Sequence, residues 1–195
     1  GNTIVLKASE FASAAMLEFG CLIAEAGIPD GVVNIVTGHG DPCGRVLTSH
    51  PSVARISFTG GPNAARHVIG NSTHNFAEVS LELGGKSPII VFEDADIDSA
   101  INAAARGIFG ASGQSCVAGS RLLLHEAIAD QFIEKMRAIA TGIKIGDPML
   151  EQTEVGPLCT FGQLETIERE LAHAKTEGAT VICGGQRAKA GSDMF

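Results

Sequence analysis

The sequence predicts an α/β protein whose strands run parallel. Short runs rich in β-branched residues alternate with longer stretches of helical periodicity, which is the pattern of βαβ units. The chain has 195 residues, of which 45% are hydrophobic, enough for a sizeable core. The adjacent glycines Gly84 and Gly85 allow a sharp turn between two sheets. We therefore expect two domains, covering residues 1–84 and 85–195.

Strands and helices alternate through the first of these domains. Ser9 suits a helix N-cap and Gly27 suits a C-terminal stop, so these two residues bracket the first helix. Pro62 fits the first turn of the third helix, where its missing N–H has no partner to lose. The predicted strands cover residues 3–7, 32–36, 54–58 and 76–81, and the predicted helices cover residues 9–25, 41–49 and 61–69.

The alternation continues in the second domain. Asp94 and Asp96 precede an Ala-rich helical stretch, where negative side chains favour the start of a helix. The stretch around Cys116 and residues 146–157 are predicted loops. The predicted strands cover residues 88–92, 121–125 and 180–183, and the predicted helices cover residues 96–109, 128–141 and 162–177.

The composition argues against several classes of function. The net charge of −8 and the lack of a Lys/Arg cluster disfavour nucleic-acid binding. No apolar run is long enough to span a bilayer and no signal-peptide pattern opens the chain, so no membrane partner is expected. Five widely spaced cysteines without a C-x-x-C pair predict neither a disulfide framework nor a metal site, and they indicate reduced thiols in the cytoplasm.

Cys116 stands out because it lies among small residues, in the stretch FGASGQSCVAGS at 109–120. A thiol in such an open loop suits a nucleophile, which acts as the thiolate, better than it suits core packing. The other cysteines Cys21, Cys159 and Cys183 lie in apolar stretches or beside the ends of elements, and we expect them to be buried and inert. Cys116 is therefore the candidate nucleophile.

Glu82 is the candidate general base. It lies in the stretch LELGGKSP at 81–88, beside a glycine pair where the backbone can approach a ligand closely. An ion pair with Lys86 at the end of a strand is the alternative interpretation. Six histidines are scattered singly and none is next to Cys116 in the sequence, so a Cys–His hydrolase stays open as an alternative without positive support.

Two glycine-containing turns and one charged pair are candidate ligand contacts. The stretch FTGGP at 58–62 joins a strand to a helix start, where free N–H groups and the helix dipole favour phosphate; a plain tight turn is the alternative. Gly38 and Gly40 follow a strand but lack the spacing of a dinucleotide loop, so their signal is weak.

Lys7 and Glu10 flank a helix start. The Glu10 carboxylate suits hydrogen bonds from ribose hydroxyls and repels a 2′-phosphate. The alternative interpretation is that both residues are simply solvated.

Several of these segments together resemble the NAD(P)-dependent aldehyde dehydrogenases. The stretches around Glu82 and Cys116 look like the glutamate and cysteine active-site signatures of that family, in the same order along the chain. Further similar segments are GNTIVLKASE at 1–10, FTGG at 58–61, GDP at 146–148 and VGP at 155–157. The resemblance therefore covers essentially the whole chain.

The resemblance implies an architecture. A Rossmann-like parallel sheet portion would be followed by the first part of a second, catalytic α/β domain. Residues 1–84 would be the C-terminal part of the NAD-binding domain, and residues 85–195 the N-terminal part of the catalytic domain. Ala8 stands where many members have Pro, and Gly61 where many have Ser. Family members are much longer, so we expect this chain to be an internal segment of such a protein and to be inactive by itself. The alternative is a protein that only binds ligands or has a structural role.

The resemblance also implies a mechanism. Cys116 would attack an aldehyde to give a thiohemiacetal that NAD oxidises to a thioester, and Glu82 would activate the water that releases a carboxylic acid. NAD is expected rather than NADP because of Glu10, and the full-length protein would be a homo-oligomer, a dimer or a tetramer. The implied cofactor contacts are Lys7, Glu10, Gly38, Gly40, Gly60, Gly61, Gly85 and Gln114.

Overall fold

The computed structural model describes residues 1–194 and divides the chain into two compact units. The first unit comprises Gly1–Gly84, and the second begins at Gly85. The last residue of the predicted domain 85–195 lies outside the described residues. Each strand pair in the described chain runs parallel, and helices connect the paired strands. The predicted α/β class with parallel strands is therefore confirmed.

The first unit contains two parallel strand pairs and three α-helices. In chain order its elements are β1 (Ile4–Lys7), α1 (Ser13–Glu25), β2 (Val33–Val36), α2 (Arg45–Ser49), β3 (Arg55–Gly60), α3 (Pro62–Ser72) and β4 (Glu78–Leu83). β1 pairs with β2, and β3 pairs with β4 in a register that sets Gly60 opposite Leu83. Ile56, Val68 and Ala77 form a buried apolar cluster between the second strand pair and α3.

α1 begins at Ser13 instead of Ser9, because Ser9 forms a turn of its own. The Ser9 hydroxyl oxygen accepts a hydrogen bond from the Phe11 N–H at 3.3 Å. The Ser9 carbonyl accepts from the Ala12 N–H at 3.1 Å and from the Ser13 hydroxyl at 2.9 Å. Serine often competes with a helix for nearby backbone groups in this way. The predicted stop is confirmed, since Gly27 follows α1 with a φ of +75°.

The helix predicted at 41–49 is shorter in the structure, where only α2 is regular. Asp41 is extended, with φ −122° and ψ 129°, because the ring of a following proline clashes with the helical conformation. The hydroxyl of Thr48 in α2 donates to the Gly44 carbonyl at 2.7 Å and accepts from the Asn71 amide of α3 at 2.9 Å. α2 is thereby tied to α3 by a side-chain hydrogen bond.

β4 begins and ends later in the chain than predicted. Phe76 has a φ of +53° and is 91% exposed, so it lies outside the strand. Asn75 explains this, because its side-chain amide donates to the carbonyls of Thr48 and His50 and holds the chain in a turn. The strand starts after that turn. As a result Glu82, which follows the end of the predicted strand at residue 81, lies within β4.

The second unit contains one parallel strand pair and three helices within the described residues. In chain order its elements are β5 (Pro88–Val91), α4 (Ile97–Phe109), β6 (Arg121–Leu124), α5 (Glu126–Gly142) and α6 (Phe161–Thr176). β5 pairs with β6. Phe132 of α5 is 0% exposed, and it packs with Val91, Ile101, Ala104 and Ile128 in the core of this unit. These contacts join β5, α4 and α5.

The predicted strand at 180–183 is wrong. Val181 and Ile182 are exposed, and no strand within residues 1–194 pairs with this segment. A strand needs a neighbour that satisfies its N–H and C=O groups. The β-branched composition of the segment indicates a propensity for extended backbone, but it carries no information about a partner.

Candidate active site

Cys116 lies on the surface, in the connection between α4 and β6. The Ala118 N–H donates to the Ser115 carbonyl at 3.1 Å, so Cys116 occupies a tight turn. Its carbonyl oxygen is 3.7 Å from the position that a Cβ on Gly85 would take. The structure therefore places two of the predicted site residues, Cys116 and Gly85, next to each other.

The chain just before this turn adopts an unusual backbone. The φ angles of Ala111, Ser112 and Gly113 are +50°, +54° and +72°. This left-handed conformation is disfavoured for residues with a side chain, so a run of it persists only where neighbouring contacts hold it. One such contact is present, since the Ser112 hydroxyl donates to the Gly156 carbonyl at 3.3 Å.

Gln114, a predicted cofactor contact, makes a hydrogen bond to a distant part of the second unit. Its Oε1 atom accepts from the Cys159 N–H at 3.3 Å. The two residues are 45 positions apart, and no role in the site was predicted for Cys159 from the sequence. The signal that could have suggested this region was the VGP segment at 155–157, which resembles the family but carried no function.

Glu82 is exposed within β4 and lies opposite Thr59 of β3. The next pair in the register, Gly60 and Leu83, ends both strands. Because parallel strands share one carboxyl edge, Glu82 is close to the turn that follows β3. Parallel α/β sheets bind ligands at this edge. The register therefore places residue Glu82 near the predicted phosphate turn within the first unit.

Lys7 and Glu10 come together at the end of β1, and a third group joins them. The Lys7 ammonium is 3.8 Å from one Glu10 carboxylate oxygen, and His39 Nδ1 is 3.9 Å from the other. The pKa of Glu10 is lowered, mainly because its carboxylate accepts a hydrogen bond from its own backbone N–H. The charges of Lys7 and His39 lower this pKa further, whereas desolvation of the carboxylate opposes the shift. No role was predicted for His39 from the sequence.

Gly38 and Gly40 follow β2 but differ in their surroundings. Gly38 has a φ of +152°, and a Cβ there would lie 2.7 Å from the Cβ of Cys43. The fold itself therefore requires glycine at this position. At Gly40 nothing lies within 4 Å of the position that a Cβ would take, so the backbone there is open to a ligand.

Gly60 and Gly61 form the turn between β3 and α3. Gly61 is extended, with φ −83° and ψ 158°, and no side chain caps the start of α3. Nothing lies within 4 Å of a Cβ position at Gly61. At Gly60, in contrast, a Cβ would lie 2.6 Å from the Phe58 ring, so the open part of the turn is Gly61. An uncapped helix start behind this open glycine fits a pyrophosphate, and the ionised Glu10 fits a ribose hydroxyl. The residues of the first unit are thus compatible with a dinucleotide.

The prediction that three cysteines are buried is wrong. Cys21 and Cys159 are exposed, and Cys183 is half-buried. Cys21 belongs to α1, none of whose residues is buried, so the apolar composition of that helix does not place it in a core of this chain. Cys159 lies in the connection before α6, where its backbone contacts Gln114.

The described chain holds neither a metal-binding cluster nor a membrane-spanning helix. Within residues 1–194, no three His, Cys, Asp or Glu side chains are grouped in a way that could hold a metal ion. In the same residues, every helix is too short or too polar to cross a membrane.

Comparison with known proteins gives matches along the whole chain. The model of the aldehyde dehydrogenase family matches residues 1–195. A (Z)-2-((N-methylformamido)methylene)-5-hydroxybutyrolactone dehydrogenase of Acinetobacter baylyi is 56% identical over 186 residues, which are 95% of this chain and 38% of the relative. The chloroplastic betaine aldehyde dehydrogenase of Beta vulgaris is 47% identical over 187 residues, which are 96% of this chain and 37% of the relative.

Solved structures agree with these matches. PnpE of a Pseudomonas species, in complex with nicotinamide adenine dinucleotide, superposes with a TM-score of 0.94 at 44% identity, covering 97% of this chain and 39% of that one. Betaine aldehyde dehydrogenase of Staphylococcus aureus, in complex with NAD⁺, superposes with a TM-score of 0.92 at 36% identity, covering 97% and 38%. The chain spans less than two fifths of the length of these relatives. Matched by the family model over its full length, the chain belongs to the aldehyde dehydrogenase family.

Proposed function

We propose that the natural protein containing this chain oxidises an aldehyde to a carboxylic acid with NAD, and that Cys116 and Glu82 carry out the chemistry. The observation that carries the proposal is the surface turn that presents Cys116 beside Gly85, in a chain that belongs to this family. The NAD complex of PnpE and the aldehyde named for the Beta vulgaris relative support the same reaction.

Cys116 provides the nucleophile. Its thiolate sulfur attacks the carbonyl carbon of the aldehyde, a C–S bond forms, and the carbonyl oxygen becomes the oxyanion of a thiohemiacetal. The Cys116 N–H then donates to that oxyanion. No backbone hydrogen bond within residues 1–194 already occupies this N–H, so it is available for the purpose.

The first unit provides the principal contacts to NAD. Glu10 and Lys7 bind the hydroxyls of the adenosine ribose, and the uncapped start of α3 receives the pyrophosphate. When bound, NAD supplies the hydride acceptor that allows the adduct on Cys116 to become a thioester. The other proposed contacts are Gly60 and Gly61 at the pyrophosphate, and Gly38 and Gly40 on the adenine side. Gly85 and Gln114 flank the reaction centre around Cys116.

Glu82 provides the base for the final step. Its carboxylate removes a proton from a water molecule, and the hydroxide attacks the carbonyl carbon of the thioester on Cys116. The C–S bond breaks, so the carboxylic acid leaves and the thiolate is restored. The exposed position of Glu82 near the carboxyl edge of the β3–β4 pair makes this carboxylate accessible to water.

Replacing Glu82 by Gln in the natural protein tests this assignment. The first half of the reaction does not need the base, so we expect one equivalent of NADH per active site in a rapid burst, followed by a stall. Stopped-flow absorbance of NADH measures both phases. Steady turnover by Glu82→Gln at the rate of the unmodified protein would overturn the role of Glu82.

The nucleophile is tested with a matched pair of cysteine variants. Cys116→Ala removes the thiol and should abolish NADH formation altogether, including the burst. Cys21→Ala removes another exposed thiol, in α1, and should leave the rate unchanged. Aldehyde oxidation that survives in Cys116→Ala would contradict the proposed mechanism.

A catalytically incomplete binding protein is the second candidate. The intact mass of the natural protein, measured by mass spectrometry, separates the two. A mass near the 20.1 kDa of this chain favours the binding protein. A much larger mass together with NADH formation favours the dehydrogenase.

We further propose that the protein is a cytoplasmic homo-oligomer, a dimer or a tetramer. Five free cysteines suit a reducing compartment. Relatives include proteins named as chloroplastic and as peroxisomal, in Beta vulgaris and Pisum sativum. Cell fractionation tests the compartment, and light scattering of the natural protein tests the number of subunits.

A further inference from the structure

Two side chains of residues 111–118, which we call the Cys116 turn, reach the same distant segment of the second unit. The Ser112 hydroxyl donates to the Gly156 carbonyl at 3.3 Å. The Gln114 Oε1 atom accepts from the Cys159 N–H, also at 3.3 Å. Gly156 and Cys159 belong to residues 144–160, which we call the platform. Ser112 and Gln114 lie between α4 and Cys116. The two hydrogen bonds therefore connect this part of the Cys116 turn to the platform.

The platform is held together by hydrogen bonds of its own. Ile145 and Val155 form a parallel β-bridge, and the Gly146 N–H donates to the Val155 carbonyl at 3.1 Å. The Thr153 hydroxyl donates to the Asp147 carbonyl at 2.7 Å. A segment cross-linked in this way keeps its shape, so it can act as a fixed support for the turn that it contacts.

The turn needs such a support because its backbone is unfavourable by itself. Ala111 and Ser112 are held in the left-handed region although neither is glycine. Gly156 packs beside this stretch, since a Cβ on Gly156 would lie at ordinary contact distance from Pro148, at 3.5 Å, and from the Ser112 hydroxyl oxygen, at 3.9 Å. The VGP segment at 155–157 therefore has a structural role, because its Gly156 carbonyl accepts the hydrogen bond from Ser112.

We propose that Ser112 and Gln114 are positioning residues that fix the Cys116 turn against the platform. The proposal rests on the proposed function of Cys116 as nucleophile. Through these hydrogen bonds both residues act on the backbone that carries Cys116, and neither bond involves a reacting atom. Their loss displaces the sulfur from its line of attack, which lowers kcat, while the dinucleotide contacts of the first unit persist and keep the KM for NAD.

Three variants of the natural protein test this inference. Gln114→Met keeps the length of the side chain and removes the accepting oxygen, and Ser112→Ala removes only the hydroxyl. Ala111 already adopts the same φ region, so alanine at 112 is compatible with the turn. Gln152→Met is the matched control, because Gln152 is an exposed platform residue that makes no side-chain hydrogen bond within residues 1–194.

Hydrogen–deuterium exchange measures the connection directly, without activity. The Cys159 N–H donates to Gln114, so this amide loses its acceptor in Gln114→Met. The amide exchange rate of the peptide that contains Cys159 should therefore rise about fivefold, because one hydrogen bond of ordinary strength protects an amide by about that factor. Gln152→Met should leave that rate unchanged. Equal exchange in Gln114→Met and the unmodified protein overturns the inference. If Gln114→Met does not fold, the rate of residues 110–119 in Ser112→Ala decides in the same way.

Steady-state kinetics measure the consequence for catalysis. We expect kcat to fall about tenfold in Gln114→Met and in Ser112→Ala with the KM for NAD unchanged. A large rise in the KM for NAD with kcat retained would show that Gln114 contacts the cofactor, and would overturn the positioning role. An unmodified protein that oxidises no aldehyde contradicts the proposed function, whereas the exchange rates still decide whether the connection exists.

Discussion

Glu10 shows how the charge of one residue bears on the choice between cofactors. Its carboxylate lies between Lys7 and His39, at 3.8 Å and 3.9 Å. The carboxylate is ionised at neutral pH, and its lowered pKa extends the ionised state further into the acid range. An ionised carboxylate accepts hydrogen bonds from ribose hydroxyls and repels a 2′-phosphate. In the proposed enzyme this residue favours NAD over NADP.

We expect Glu10→Gln to raise kcat/KM for NADP relative to NAD by about tenfold in the natural protein, because the repulsion of the 2′-phosphate is lost. The lowered pKa of Glu10 also determines how the preference for NAD over NADP changes with pH. The preference is full above the ordinary titration range of a glutamate, and it weakens as the pH falls through the lowered pKa. Glu18→Gln, in α1, is the control. A ratio unchanged by Glu10→Gln would contradict the assignment.

Gly38 and Gly40 provide a second test at single residues. Alanine at 38 combines a φ of +152° with a Cβ placed 2.7 Å from that of Cys43, whereas alanine at 40 meets open space. We expect Gly38→Ala to lower the free energy of unfolding by about 1–3 kcal/mol, and Gly40→Ala to change it much less. Urea unfolding measures both. Equal stability of the two variants would show that Gly38 is not structurally required.

At the scale of elements, α4 determines where the Cys116 turn begins. The Asp96 carboxylate caps this helix by accepting from the Ser99 N–H at 2.8 Å. Ile101 and Ala104 of α4 are buried against Phe132, which fixes the helix in the core of the second unit. Because the helix ends at Phe109, its cap and its packing together set the start of the turn.

Replacing the cap should weaken the protein in a manner that depends on pH. The pKa of Asp96 is lowered because Ser99 donates hydrogen bonds to its ionised carboxylate. Stabilisation by the cap is therefore full above the ordinary range of an aspartate and is lost as the pH falls through the lowered value. We expect Asp96→Ala to lower Tm by a few degrees at neutral pH, and by less in acid.

Asp94→Ala is the matched control for this experiment, since Asp94 is exposed near the same helix start without capping it. Differential scanning calorimetry of both variants across the acid range measures the effect. A decrease in Tm that is the same at every pH would contradict a role for the charged form of Asp96.

At the scale of the whole molecule, both units expose large apolar side chains. Phe11 and Phe76 of the first unit and Phe92, Met149 and Phe161 of the second are all more than half exposed. Exposed apolar surface of this extent is typical of faces that contact other protein surface. The relatives are more than twice as long as the part that matches.

We expect residues 1–195 expressed alone to self-associate, because the exposed apolar side chains and the open strand edges favour contact between copies. Size-exclusion chromatography with light scattering should give a mass well above 20.1 kDa, and a hydrophobic dye such as ANS should bind strongly. The natural protein is the comparison and should bind less dye. A monodisperse monomer without dye binding would contradict this expectation.

The positions of most elements could be predicted because their signals are local. Runs of β-branched residues and helical periodicity belong to neighbouring residues. They identified every strand and α-helix of the described chain to within a few positions, apart from the error at 180–183. β4 was misplaced because Asn75 bonds to Thr48 and His50, which are 27 and 25 positions away. A contact at that distance has no local signature.

The sequence by itself determined which reactive side chains are available, Cys116 and Glu82 among them, and the parallel α/β class. The chemistry of a side chain is a property of its own atoms, and periodicity is a property of its neighbours. Only the tertiary structure decided that Glu82 lies in a strand, that Cys21 is exposed, and that Gln114 bonds to Cys159. Burial and hydrogen bonding depend on which distant segments pack together, and no local stretch of sequence specifies that.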